Sequence, residues 1–316
     1  FSAGQVARAQ DIHFTQFNAA PLAVNPAFTG MFDGSVRASL IYRNQWSSAN
    51  IPFTTFGGSA DFPLYLDKHG GYVAAGLQYL QDRASEGEVV NSSGLFSVAY
   101  HHFFGLSRFV RLRKGSDLAI GIQGAFGSRV FDASGIYFSD GPFSRVSYPG
   151  MYLQQSYGPV NYLMINSGIS FSRSVNERFN YTVGVSGNNI NQPKDANLED
   201  NYRQVGINRS LTVAVAANWY LRGRIGLSPA AFYISRGSIN DLIAGTDVKY
   251  QVKKVSDPSY HDMSVFAGAW YHTSGEYSVT GGLELHAFKV GLGYDFDFRH
   301  LNNSTTGNGG FEGVGK

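Results

Sequence analysis

From residue 35 onward the chain alternates apolar and polar residues in repeated short stretches, and this two-residue period constrains its fold more than any other feature. In residues 35–46, Val36, Ala38, Leu40 and Tyr42 share one face, while Ser35, Arg37, Ser39, Arg43 and Gln45 share the other. Successive side chains of a strand point to opposite faces, whereas a helix groups residues three and four apart. The spacing therefore describes a strand with one face for lipid and one for water. Residues 117–129 repeat it, with Leu118, Ile120, Ile122 and Phe126 against Asp117, Gln123 and Arg129. Residues 211–222 set Leu211, Val213, Val215, Ala217, Trp219 and Leu221 against Thr212, Asn218, Tyr220 and Arg222, with Trp219 as an interface anchor. Near the end, Val279, Leu283 and Leu285 oppose Thr280, Glu284 and His286, and then Val290, Leu292, Tyr294, Phe296 and Phe298 oppose Lys289, Asp295, Asp297 and Arg299.

Weaker alternation marks residues 52–62, 71–81, 89–102, 160–173, 179–190, 225–235, 242–252 and 262–272, for about thirteen strands in all. An even, closed barrel of about fourteen needs one more near the C-terminus. Composition agrees. Only 15% of residues are charged, Gly, Phe and Tyr number 38, 24 and 19, and no apolar stretch reaches the roughly 20 residues of a membrane helix. A mean hydropathy of -0.16 is compatible with a lipid-embedded barrel, because lipid-facing and lumen-facing residues average out. The expected fold is all-β: a transmembrane antiparallel up-and-down β-barrel of about 14 strands with an N-terminal periplasmic cap or plug segment. A large soluble sandwich should carry more charge outside, and no 40-residue to 50-residue repeat of the propeller kind occurs.

Outer-membrane barrels alternate short periplasmic turns with longer outer loops, and the connection lengths mostly follow that parity. With a periplasmic N-terminus, residues 132–159, 191–209 and 301–309 fall outside, and 174–178, 222–224 and 286–287 fall inside. Two longer inner connections, 103–116 and 253–261, are basic, with Arg108, Arg111, Arg113 and Lys114 in one and Lys253 and Lys254 in the other. These charges are read either as solvated groups near lipid headgroups or as a docking site for a periplasmic partner. The longest outer loop carries Tyr137, Phe138, Phe143, Tyr148, Tyr152 and Tyr157, suited to protein contacts or to folding the loop on itself.

Several chemistries are absent. A net charge of +2 makes no electrostatic case for nucleic acid, and zero cysteines exclude disulfides, thiolate metal sites and a lipidated Cys. No G-x-S-x-G elbow occurs. His286 beside Glu284, with Ser278 and Thr280 nearby, reads as a polar lumen network before it reads as a site acting on lipid. His101 and His102 fall on opposite faces of a strand and cannot share a metal, and the loop around Asp195, Glu199 and Asp200 lacks EF-hand spacing. Residues 310–316 fit G-x-x-x-x-G-K without the following Ser or Thr or any βαβ context, so the match is accidental. No enzyme, cofactor or metal site is expected.

Residues 1–9 end in Val6-Ala7-Arg8-Ala9 before Gln10, an A-x-A form read as the remnant of an export signal. Residues 10–34, with His13, Gln16, Asn18 and Asn25 among Phe14, Phe17 and Phe28, form the cap or plug, and residues 35–316 form the barrel.

The run Gln10-Asp11-Ile12-His13-Phe14-Thr15-Gln16-Phe17, then Pro21-Leu22-Ala23-Val24-Asn25-Pro26-Ala27-Phe28-Thr29-Gly30, resembles the start of the PorP/SprF family. The likeness continues through Tyr42-Arg43-Asn44-Gln45-Trp46 and Thr54, Thr55, Ser59 and Asp61, and near the other end through Gly291-Leu292-Gly293-Tyr294-Asp295-Phe296 and Gly310-Phe311-Glu312. After Glu312 the chain reads Gly-Val-Gly-Lys, short of a full apolar alternating strand, which leaves the mode of closure open. The resemblance implies an outer-membrane barrel of the type IX secretion and gliding machinery of Bacteroidetes. Its partners would be outer-membrane lipid, the C-terminal domain of a secreted surface protein such as an adhesin, and secretion or gliding components. Among the motif residues Asn25, Pro26, Arg43, Gln45 and Trp46, Arg43 and Gln45 are expected to point into the lumen and hydrogen-bond the N-terminal segment, and Asn25-Pro26 to form a turn. A passive pore or hydrophobic-solute transporter is the alternative function.

Overall fold

The computed structural model describes residues 20–45, 53–66, 70–84, 89–105, 115–132, 156–200, 203–221, 223–253, 263–273, 275–285, 288–297 and 309–316. Fourteen strands close an antiparallel barrel. In chain order they are β1 (Arg37–Gln45), β2 (Phe53–Leu66), β3 (Gly71–Ala84), β4 (Val89–Gly105), β5 (Gly115–Asp132), β6 (Ser156–Asn176) and β7 (Phe179–Asn188). After a separate hairpin of β8 (Lys194–Asp200) and β9 (Arg203–Gly206) come β10 (Ser210–Tyr220), β11 (Ile225–Arg236), β12 (Ile239–Lys253), β13 (Met263–His272), β14 (Glu276–Leu285), β15 (Phe288–Asp297) and β16 (Gly309–Gly315).

All thirteen expected strands are present, and β16 is the fourteenth. It pairs with β15 on one side and β1 on the other, with register from Leu40 opposite Gly315 to Gln45 opposite Gly310. This strand does alternate: Phe311 points outward, while Glu312 and Val314 are buried inside. Glycines hold the other outward positions, which is why no apolar run announces it.

The outer wall is as the alternation requires. Val36, Leu40, Ile120, Ile122 and Phe126 stand exposed on it, whereas Arg37, Ser39, Arg43 and Gln123 are buried on the other face. Aromatic residues collect toward both ends of this wall. Tyr271 lies 5.0 Å from Tyr277 and Tyr294 lies 4.8 Å from Phe296 at one end, and Trp219 meets Phe179 edge to face at the other. Among the described residues no helix is long and apolar enough to cross a membrane, so the crossings are made by strands.

The antiparallel order puts the start of β1, the end of β6 and start of β7, the end of β10 and start of β11, and the end of β14 and start of β15 at one end, termed proximal. The three longest intervals, 133–155, 189–209 and 298–308, fall at the other, distal end. Strands run further than expected at several places. Tyr157 belongs to β6, opposite Phe131 after a bulge, and Lys253 belongs to β12, opposite Met263 after another. Extending the ladder gives backbone groups partners that an open loop would lack. β2 continues past Pro63 to Leu66 with a register shift between Pro63 and Tyr65, where proline has no N–H to donate.

Arg43 of β1 ties the seam together. Its Nη2 donates to Asp295 Oδ2 of β15 at 2.6 Å, and its Nε lies 3.9 Å from Glu312 Oε2 of the intervening β16. All three side chains are buried, so removing the cation leaves two carboxylates in a site with little water, which costs about 3–5 kcal/mol. Arg43→Ala is expected to lower the temperature at which the compact, heat-modifiable form is lost on gels, well below that of lipid-facing Leu40→Ala. Equal losses would contradict this role for Arg43.

Candidate functional site in the barrel lumen

Two prolines shape the segment that precedes the barrel. Pro21 opens the single-turn helix α1 (Pro21–Val24), and Pro26 opens a 3₁₀ turn (Pro26–Phe28), each with its φ already fixed and no N–H to satisfy. Asn25 links them, its side chain accepting from Ala27 N at 2.8 Å. So short a double turn leaves most of its carbonyls without internal partners, and burial would make each of them costly.

The barrel wall supplies those partners. Gln123 Nε2 donates to Leu22 O at 3.2 Å, Ser186 Oγ to Val24 O at 2.7 Å, Tyr72 OH to Gly30 O at 2.8 Å, and Arg37 Nη2 to Phe28 O at 2.9 Å. Thr29 Oγ1 donates to Ser97 Oγ at 2.9 Å, and Asn25 Nδ2 to the Ile169 carbonyl at 3.1 Å. His101 Nε2 lies 2.8 Å from the Thr29 carbonyl, which can only accept, so that nitrogen carries a proton. Its Nδ1 lies 2.9 Å from Asp117 Oδ2, which orients the ring, and Tyr72 stacks on the ring at 4.3 Å.

The strongest tie is an ion pair. Arg37 grips Asp61 with two parallel bonds, Nε to Oδ1 at 2.8 Å and Nη2 to Oδ2 at 2.6 Å, and both side chains are buried. Asp61 Oδ2 also accepts from Gly30 N at 2.6 Å, and Arg37 Nη1 reaches Met31 O at 3.3 Å. The pair thus holds both the carbonyl side and the amide side of the segment's exit.

Close approach completes the fit. A Cβ at Gly121 would overlap the backbone of Pro26 and Ala27, and one at Gly168 would overlap Asn25. On the opposite side, Val24 and Phe28 pack with Ala214, Ala230, Phe232, Ile243 and Trp270, while Ala20 joins Ile41, Leu80, Leu95, Ala125 and Val314. The segment therefore lies inside the barrel rather than capping it. The inner face, expected to suit water, instead carries two apolar clusters at positions such as Ile41 and Trp270, where the alternation called for polar residues. That broken alternation is the signal that the lumen is a packed core.

The expected anchor, Arg43, does point inward, but the bonds described for it go to the barrel wall; Gln45 stands at the distal end of β1 opposite Gly310. Which arginine meets the segment depends on its height in the barrel, and that places Arg37. Asn25 and Pro26 form the expected turn and also bind the wall. His101 is buried inside, while His102 lies edge to face with Phe104 at 4.7 Å. Glu284 lies 2.9 Å from Lys249 Nζ, and Thr280 donates to Asp247 Oδ1 at 3.0 Å, so this expected polar network extends to β12. Residues 310–316 belong to β16 and its end. Among the described residues no three His, Cys, Asp or Glu side chains are grouped to hold a metal ion. Trp46, Arg108, Arg111, Arg113, Lys114, Tyr137, Phe138, Phe143, Tyr148, Tyr152, Lys254 and His286 lie outside the described residues.

A closed antiparallel barrel with an apolar outer wall is a membrane β-barrel. Its sequence matches, over residues 6–311, the family described as type IX secretion system membrane protein PorP/SprF, and the chain belongs to that family. No curated protein matches the sequence. Among solved structures, the deltaS2 mutant of the TodX monoaromatic hydrocarbon channel is similar, with a TM-score of 0.53 at 9% identity over 94% of this chain and 93% of that one. The CymD monoaromatic hydrocarbon channel (TM-score 0.49, 8% identity, 94% and 91% covered) and the P. putida toluene transporter TodX (0.46, 10%, 94% and 92%) are more distant. At such identity the likeness to TodX is one of fold alone.

Asp61→Ala leaves Arg37 buried without its counter-ion, a loss of about 3–5 kcal/mol concentrated at the segment's exit. Limited proteolysis of the purified protein should cut residues 20–36 in the variant and spare them in the wild type. Identical cleavage patterns would count against this pair as the segment's clamp.

Proposed function

We propose that the protein works in the outer membrane as a binding and assembly component of the type IX secretion or gliding machinery, with its working surfaces at the two rims. The observation that carries this reading is the occupied lumen, in which the N-terminal segment meets polar groups of β2–β7 and apolar groups of β10–β13. A barrel whose interior is spent on packing is suited to present loops rather than to conduct. On this reading the proximal end faces the periplasm and the longer distal intervals face outward, following the usual asymmetry of such barrels.

The distal side would hold the C-terminal domain of a secreted surface protein, an adhesin being the model partner, with Tyr137, Phe138, Phe143, Tyr148, Tyr152 and Tyr157 as the aromatic supply. On the proximal side Arg108, Arg111, Arg113, Lys114, Lys253 and Lys254 would meet secretion components. The second reading is a passive pore or hydrophobic-solute transporter. It draws on the barrel likeness to a hydrocarbon channel and would require the segment to move.

Gentle extraction from the native outer membrane, followed by mass spectrometry, is expected to recover an exported protein or a secretion component in stoichiometric amount. Planar-bilayer recordings are expected to find the wild type silent. A barrel that purifies alone and conducts, or that takes up solute in vesicles, would overturn the binding reading in favour of transport.

A further inference from the structure

Between the lumen segment and the inner faces of β7, β10–β12, β14 and β15, toward the proximal end, lies a cavity of about 290 Å³. One side is apolar, formed by Val24 and Phe28 of the segment with Ala214 and Phe232 of the wall. The other is charged: Arg37, Lys249, Lys289 and Lys316 line it against two carboxylates, Asp247 and Glu284.

The cations are not equally satisfied. Arg37 is committed to Asp61, and Lys249 lies 2.9 Å from Glu284. Asp247 Oδ1 accepts from Thr280 at 3.0 Å and from Trp270 Nε1 at 3.3 Å. The Lys289 ammonium makes no direct ion pair with a carboxylate among the described residues, although Asp247 and Glu284 lie near enough to attract it, and it rests 4.3 Å from the centre of the Phe266 ring. Lys316 is bound to Lys289 through two backbone hydrogen bonds of 2.7 and 2.8 Å, which sets a second lysine beside the first.

A partly buried ammonium with no direct counter-ion favours an anion, and its three donors suit the oxygens of an oxyacid. The ring beneath Lys289 holds the ammonium without neutralising it. The cavity is near the lower end of the usual range for small-molecule sites, about 300–1,000 Å³, too small for a long acyl chain but sufficient for a charged head on a short apolar body. We propose that this cavity binds a small amphipathic oxyanion, its carboxylate or phosphate head held by Lys289 with Lys249 nearby and its apolar body laid against Phe28 and Phe232. The site goes beyond the rim-binding function and does not rest on it.

Ligand-observed NMR on the full chain in a non-ionic detergent can test this with three probes of one size: benzoate, phenyl phosphate and benzyl alcohol. At least one anion is expected to bind saturably, with the neutral alcohol about tenfold weaker, the scale expected when a charge-assisted bond is lost. Lys289→Gln should weaken the anion by about the same factor and Lys289→Arg should restore it. The preference between benzoate and phenyl phosphate identifies the head, and either supports the site. Equal binding of the alcohol, no saturable binding of either anion, or unchanged binding in a folded Lys289→Gln barrel would overturn it. The comparison of anion with alcohol needs only the wild type, so it stands even if the variant does not fold.

Discussion

A guanidinium buried in a protein must be matched group by group, and Arg37 is matched completely enough to fix everything around it. One carboxylate takes two of its donors, and backbone carbonyls of the lumen segment take two more. Because Arg37 is the first residue of β1, the pair also sets the point where the chain leaves the lumen and becomes wall. The same carboxylate accepts from Gly30, whose positive φ of 76° makes the turn and whose missing side chain leaves room for Ala74 and Tyr72. Buried pairs of this kind add little net stability over an apolar filling, but they penalise any other arrangement of the same chain. The specificity of the lumen packing follows from that penalty.

Much of the wall could be read in advance, and the reason is geometric. Lipid on one side forces strict alternation, so β1, β5 and β10 declared their outward residues and, by parity, most of the inward ones. The interior was harder, because a lumen filled by its own chain need not be polar. Ile41, Leu80, Ile243 and Trp270 sit at inward positions, where apolar residues weaken the pattern rather than announce a core. Arg37 and Arg43 share one face of one strand, and alternation cannot tell which meets the segment; their heights, six residues apart along β1, decide it. Asp61 was visible only as part of a familiar motif, since its partners come from residues 30 and 37. In β16, glycine at two outward positions hides a strand that pairing on both sides makes plain.

The TodX variant that the protein resembles shares the barrel at 9% identity and is described as a hydrocarbon channel. In this chain the lumen holds a segment whose carbonyls, amide and side chains are bound by the wall. A shared barrel does not fix a shared use, and in this chain inward residues such as Gly121, Ser186 and His101 fit the lumen to its own segment.

The division of those contacts along the chain has a consequence for assembly. The polar groups described as holding the segment, from Arg37 and Asp61 to Gln123 and Ser186, belong to β1–β7, and the side chains from β10–β13 that meet it are apolar. A curved sheet of the first seven strands therefore already offers the hydrogen-bonding half of the cradle, in the order in which it is synthesised. The later strands add the apolar contacts to Val24 and Phe28 and shut it. Since β16 pairs with both β15 and β1, closing the wall is also what brings the two parts of the cradle together around the segment.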